Sequence, residues 1–251
     1  MRLWKGGGSP GLGFPPKEAV PETLNWDMWL GPAPYQDYNR VRCHGSYRYF
    51  LDFSGGVYAD FWCHIADILF MSLHPKGLTS INSMGDRPHD GIADAPRWID
   101  VDYKFDGLDV KWTTEPPDVY GADMVDKAYR IGACFEGTNG SMTCDYSKRF
   151  IKLGNELMED IPEVPLTFPR ATLPYPTGHM HNFIDAVKTR QQPPSNLAYS
   201  LEMTTPMLLS MISFRLKRKI KWDPVKGVII GDDAANYLLS RAYMAPWSLP
   251  K

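Results

Sequence analysis

Much is missing from this sequence, and each absence removes a class of function. No run approaches the roughly eighteen uninterrupted apolar residues that a membrane span needs, so a membrane partner is not expected. The opening Met1-Arg-Leu-Trp-Lys-Gly-Gly-Gly8 lacks the apolar segment of a secretory signal. An excess of either charge is missing too. A net charge of −2 over 251 residues argues against a nucleic-acid partner held by phosphate neutralisation. Four cysteines, at 43, 63, 134 and 144, form no Cys-x-x-Cys pair. They read as reduced thiols of a cytoplasmic protein, although Cys134 and Cys144 flank a predicted hairpin closely enough for a bond across strands. A zinc site built on Cys43 and His44 has no spacing to support it. The chain contains no Gly-x-Gly-x-x-Gly, phosphate-binding loop, Gly-x-Ser-x-Gly or His-Glu-x-x-His. Internal repeats and low-complexity stretches are absent as well.

What the chain does have is core-forming residues and loop formers in quantity. Hydrophobic residues make up 43% and aromatic residues 13%, while 21 glycines and 22 prolines cluster in connections. A sizeable core joined by long ordered loops follows. The dominant stretch is Asp52-Phe-Ser-Gly-Gly-Val-Tyr-Ala-Asp-Phe-Trp-Cys-His-Ile-Ala-Asp-Ile-Leu-Phe-Met-Ser-Leu73, where a Ser-Gly-Gly turn opens into helical spacing. Asp60, His64 and Asp67 fall at i, i+4 and i+7, on one stripe. The apolar residues around them nearly encircle the helix, which predicts burial. Buried carboxylates and imidazoles need partners or a task.

Around this helix the sequence reads as an antiparallel meander followed by helices. Arg2-Leu-Trp4 resembles the tail of a strand, and an opening in mid-strand points to chain upstream. One or two short helical turns fall between Leu24 and Leu30, and a Tyr- and Arg-rich loop delivers Tyr47, Arg48 and Tyr49. Ser80–Met84 and Trp98–Phe105 alternate apolar and polar residues; Asp106-Gly107 turns the chain back into Leu108–Thr113. Ala128–Phe135, Ser141–Cys144 and Phe150–Leu153 continue the meander, with one wet face. Recurring prolines mark 159–175 as an extended connector. Helices are predicted over Gly178–Arg190, Leu197–Lys219 and Asp232–Arg241, with Pro206 a kink or a late start of the second. The basic run Arg215–Lys219 reads as a solvated helix end. His179 and His181 diverge on a helix, and His74 and His89 lie beside turns.

The chemistry then rests on Asp60 and His64, with Arg48 and either His44 or His181 brought near by folding. A carboxylate and an imidazole one turn apart suit proton transfer to or from a sugar hydroxyl. The plainer alternative is a pair that only hydrogen-bonds to itself and to nearby loops.

An ordered series of motifs adds to this. Leu24-Asn-Trp-Asp-Met-Trp-Leu-Gly-Pro-Ala-Pro34, Tyr47-Arg48, Gly55-Gly-x-x-x-Asp60-x-x-x-His64-x-x-Asp67, Phe135-Glu-Gly-Thr-x-Gly140, His181-Asn-Phe-Ile-Asp-Ala-Val187, Trp222-Asp-Pro224 and Pro246-Trp247 occur in this order. Together they resemble the Gfo/Idh/MocA family of glucose–fructose oxidoreductase and inositol dehydrogenase, over the C-terminal half of such enzymes. The resemblance implies one α+β substrate-binding and oligomerisation domain over residues 1–251. Its open, mainly antiparallel sheet carries helices on one face, and the free face packs against another subunit. It also implies that Asp60 and His64 face the substrate, with His64 in the proton-transfer role. Arg48, Asp67 and His181 are candidate contacts to a carbohydrate or polyol. The family's N-terminal Rossmann domain, which binds NAD or NADP, and its catalytic Lys in Glu-Lys-Pro have no counterpart here. The expectation is no cofactor bound by this chain alone, with NAD or NADP entering only on a Rossmann partner chain. Two rivals are a non-catalytic scaffold assembling through its sheet face and a cofactor-free carbohydrate lyase or hydrolase using Asp60 and His64.

Overall fold

The computed structural model describes residues 1–125, 128, 130–158 and 178–249. The predicted connector over 159–175 lies outside these residues. Alternation decides the centre of the sheet. In β3 (Trp98–Phe105) Ile99, Val101, Tyr103 and Phe105 point one way into the core, as do Val110 and Trp112 in β4 (Leu108–Thr113). Gly107 turns between them with φ +69°, the left-handed backbone such a turn requires. β2 (Ser80–Asp86) pairs antiparallel with β3. A second run of hairpins comprises β5 (Ile131–Glu136), β6 (Gly140–Cys144), β7 (Arg149–Leu153) and β8 (Glu156–Met158).

The N-terminal strand β1 (Arg2–Lys5) joins the two runs, parallel to β4 on one side and antiparallel to β5 on the other. With β9 (Ile220–Asp223) and β10 (Val228–Ile229) at the far edge, the order is β10-β9-β2-β3-β4-β1-β5-β6-β7-β8. The β1–β4 pair is parallel and the other strand pairs among the described residues are antiparallel. The predicted α+β architecture is therefore the observed one.

Two helices, α2 (Gly56–Leu73) and α4 (Leu197–Leu216), cover the inner face. α1 (Trp26–Leu30), α3 (His179–Thr189) and α5 (Asp233–Tyr237) are shorter. α4 runs unbroken from Leu197 through Pro206, so the proline marks no late start. At the centre Tyr58, Trp62, Tyr103 and Trp112 form an aromatic cluster with ring centroids 5.0 to 5.9 Å apart. Burial obliges their polar atoms to pair. The Tyr58 hydroxyl lies 2.5 Å from that of Tyr103 and 2.7 Å from Ser210 Oγ, and Trp62 Nε1 donates to the Met203 carbonyl at 2.7 Å. Burial pushes both tyrosines above their ordinary range, so this network stays protonated.

Two expectations are corrected. α2 is not buried all round: Tyr58, Trp62, Ile65, Ala66, Leu69 and Phe70 face the sheet, while Asp60, Cys63 and His64 lie open. Nor can Cys134 and Cys144 bond. Cys134 stands opposite Thr143 and Cys144 opposite Ala133, so their side chains leave opposite faces of the sheet. All four cysteines are free.

The start of α2 is held from a distance. Its N-cap, Gly55, has no side chain, and the buried Ser9 hydroxyl accepts the Val57 N–H at 3.4 Å instead. Gly56 adopts φ +73°, and a Cβ there would fall 2.4 Å from Ser9 Oγ and 2.8 Å from Ala95 Cβ. Ser9 is fixed by its N–H donating to the Pro96 carbonyl at 3.0 Å. Next to it a Cβ on Gly8 would lie 1.4 Å from the Arg97 carbonyl oxygen, so the two loops interlock only with glycine there.

Candidate active site

The open stripe of α2 carries Asp60, Cys63, His64 and Asp67 in succession. Asp60 is met by Arg48 from the 3-10 turn Gly45–Tyr49, with Nε 3.4 Å from Oδ2 and side chains 35% and 37% exposed for Arg48 and Asp60. Nε has no hydrogen-bond partner of good geometry, so the contact is an ion pair rather than a hydrogen bond. The guanidinium also stands 5.8 Å from the Tyr47 ring centroid. No hydrogen bond joins Asp60 to His64. The imidazole instead sits among rings, 5.2 Å from Phe61 and 6.2 Å from Tyr146, the latter at 79°.

Asp67 is drawn away from the stripe. Its carboxylate accepts the Tyr199 hydroxyl at 2.5 Å, tying α2 to α4. Burial first, then this carboxylate, pushes the Tyr199 hydroxyl well above its ordinary range, so the bond persists at any working pH. His181 is exposed on α3 and makes no hydrogen bond or ring contact with Asp60, His64 or Arg48. The structure thus brings Arg48, Asp60 and His64 to one surface, gives Asp67 a structural partner and leaves His181 apart from them. Cys63 shares the stripe, but burial and the nearby Asp67 raise its thiol, which makes it a poor nucleophile.

Beside Asp60 opens a groove of about 990 Å³. Met207 and Met211 of α4 form one wall, Phe53, Ser54 and Gly55 another, and residues 238–243 the third. The Arg241 guanidinium fixes that third wall by donating to the Asp52 carbonyl at 2.7 Å and the Leu51 carbonyl at 3.1 Å. Neither Arg241 nor Tyr146 carries a signal in the sequence, because each reaches the site from a loop placed only by long-range pairing. The groove is of mixed character: Asp52, Asp60, Arg215 and Arg241 share its lining with Leu30, Met207, Leu208 and Met211.

The glycine pair at the start of α2 is not a dinucleotide cradle. It is entered from a turn rather than a strand, and the space above Gly56 is filled by Ser9 and Ala95. Among the described residues no group of three or more His, Cys, Asp or Glu could hold a metal ion. Among them, too, no helix is long and apolar enough to cross a membrane.

Comparison with known proteins agrees with the topology. Residues 4–249 match the model of an oxidoreductase family, C-terminal alpha/beta domain. No curated protein matches the chain. Among solved structures, an NAD-binding protein from Listeria innocua is 13% identical with a TM-score of 0.48, over 88% of this chain and 54% of that one. The aldose-aldose oxidoreductase of Caulobacter crescentus, complexed with glycerol, is 11% identical with a TM-score of 0.48, over 88% of this chain and 55% of that one. The chain spans about half the length of these structures.

Proposed function

The chain belongs to the Gfo/Idh/MocA oxidoreductase family, by that family's C-terminal α/β domain, and from this premise we propose that it forms the substrate-binding, proton-transferring wall of a sugar or polyol oxidoreductase. One observation carries the reading. On a helix whose other side is packed, Asp60 and His64 are open to solvent, and Asp60, steadied by Arg48, lines a groove. A packed helix that leaves a carboxylate and an imidazole open, the carboxylate at a groove, is suited to hold a hydroxyl and accept its proton. His64 takes the proton of the substrate hydroxyl, and the Asp60–Arg48 pair binds a neighbouring hydroxyl, since carboxylate and guanidinium both keep hydrogen-bonding capacity. The hydride acceptor is held by residues other than those described, and the four free cysteines support a reducing, cytoplasmic setting.

The test is a titration with simple sugars and polyols, following the imidazole NMR signals and assigning His64 through His64→Ala. A saturable shift confined to His64 and the groove is expected. Sugars that leave His64 unmoved at every concentration sink the proposal.

The same reading has copies of the chain assembling through the outer face of β1 to β4, where a second cavity of about 520 Å³ lies. Arg2 pairs with Glu136 at 2.9 Å, Lys111 with Asp102 at 3.9 Å, and Lys104 with Asp109. Alternating charges are self-complementary across a two-fold axis, but so polar a face gives a contact that salt weakens. Sedimentation is expected to show an oligomer at low salt that loosens as salt rises. A monomer at every ionic strength removes this part of the proposal.

A further inference from the structure

The basic run Arg215–Lys219 reads in the sequence as one solvated helix end, and the structure divides it. Lys217 closes α4 with φ +53°, and Arg218 leaves the helix to hold both carboxylate oxygens of Asp232, each at 2.8 Å. Lys219 lines the cavity on the outer face of the sheet. Arg215, in the last turn of α4, instead lines the groove that Asp60 lines from α2.

Four charged side chains share that groove: Asp52, Asp60, Arg215 and Arg241. Three of them are held. Asp60 pairs with Arg48, the Gln36 amide donates to Asp52 Oδ2 at 3.2 Å, and Arg241 donates to the Leu51 and Asp52 carbonyls. Arg215 is exposed and forms no ion pair or side-chain hydrogen bond among the described residues. Its charge reaches Asp94 only through space, behind burial, the Leu51 N–H and Asp52 in its effect on that carboxyl. A cation at a helix C-terminus favours the dipole. That accounts for a positive charge in the last turn, but not for a guanidinium fork left open in a groove.

Spacing along α4 sets where the fork lies. Met211 and Arg215 are one turn apart on the same face. Met211 lies against the start of α2, where a Cβ on Gly55 would fall 3.6 Å from its Cε. Asp60 and Arg215 each stand one to one and a half turns from this contact, on the order of 5–8 Å along their helix axes. That is the scale of a monosaccharide carrying one charged substituent.

Resting on the reading given above, we infer that Arg215 is a specificity-determining residue that selects an acidic sugar, holding the carboxylate of a uronic acid while a hydroxyl of the same ring meets the Asp60 end of the groove. A guanidinium takes a carboxylate by two parallel N–H···O bonds. With Asp52 and Asp60 in the same lining, a single open cation suits one negative charge rather than the two of a phosphate monoester.

The experiment titrates the whole chain with methyl glucoside and methyl glucuronide, which differ only at C6, hydroxymethyl against carboxylate. It follows the Met211 methyl and His64 imidazole NMR signals in wild type, Arg215→Gln and Arg215→Lys. Wild type is expected to bind the glucuronide about five- to tenfold more tightly than the glucoside, with the advantage shrinking as salt rises. Arg215→Gln is expected to abolish that advantage and Arg215→Lys to keep part of it, with unchanged circular dichroism spectra. Equal affinities in wild type overturn the inference and leave the parent reading standing. An advantage that survives in Arg215→Gln does the same, since another cation then holds the carboxylate. So does a glucuronide that moves His64 but not Met211. A wild-type His64 that responds to neither compound overturns the parent reading together with this inference.

Discussion

Trp62→Ala is expected to remove about 4 kcal/mol from the stability of the chain, measured by urea unfolding followed by circular dichroism. The side chain is 1% exposed and touches the three other rings of the central cluster, with centroids 5.5 Å from Tyr103, 5.7 Å from Trp112 and 5.9 Å from Tyr58. Truncation leaves a cavity that α2, α4 and the sheet together enclose, so none of the three can collapse into it alone. The Met203 carbonyl also loses its donor at a buried position, which adds about 1 kcal/mol or more. Domains of this size have roughly 5–15 kcal/mol to lose, so the variant stands near its unfolding limit. Trp62→Phe keeps most of the volume and loses only the N–H, and about 1–2 kcal/mol is expected. A loss below 1 kcal/mol for the alanine variant contradicts the packing described. Trp62 also sets the roll of α2 about its axis, and that roll points Asp60 and His64 outward.

That roll is where sequence reasoning and structure part. The residues of α2 show the helix and the i, i+4, i+7 stripe, but they do not show which flank is covered. Val57, Phe61 and Ile68 suggest apolar cover all round, and each proves only half-buried. Cover is decided by which strands lie beneath, and therefore by β1, a four-residue strand that inserts between β4 and β5 from the far end of the chain. No local pattern encodes such an insertion.

Where a signal is local, it reads correctly. The β3–β4 hairpin follows from alternation and Asp106-Gly107, and α4 from its apolar spacing. The short strands β9 and β10 are missed because two to four residues are too few to establish a period. The candidate site divides in the same way. Asp60, His64 and Arg48 are legible from motif and spacing. Tyr199 claims Asp67, and Tyr146 meets His64, through contacts between elements distant in sequence.

His64→Ala is expected to lower sugar turnover by about 10² to 10⁴-fold, whether the chain acts alone or with a partner that holds a hydride acceptor. The imidazole is the open proton-accepting group on the stripe. Asp60 is engaged by Arg48, and Cys63 is held as a thiol. Adding free imidazole to the variant is expected to restore part of the rate, because the vacated position is open to solvent and a small base can enter it. Removing an exposed side chain from the outside of α2 leaves the core and the outer sheet face untouched, so stability and assembly should match wild type. The combination is what discriminates. Lost turnover with intact assembly and imidazole rescue identifies a proton-transfer group. Lost assembly, in a chain for which no turnover is ever found, identifies a scaffold whose Asp60 and His64 serve only its surface. Retained turnover in His64→Ala removes the proton-transfer role altogether and shifts attention to the Asp60–Arg48 pair.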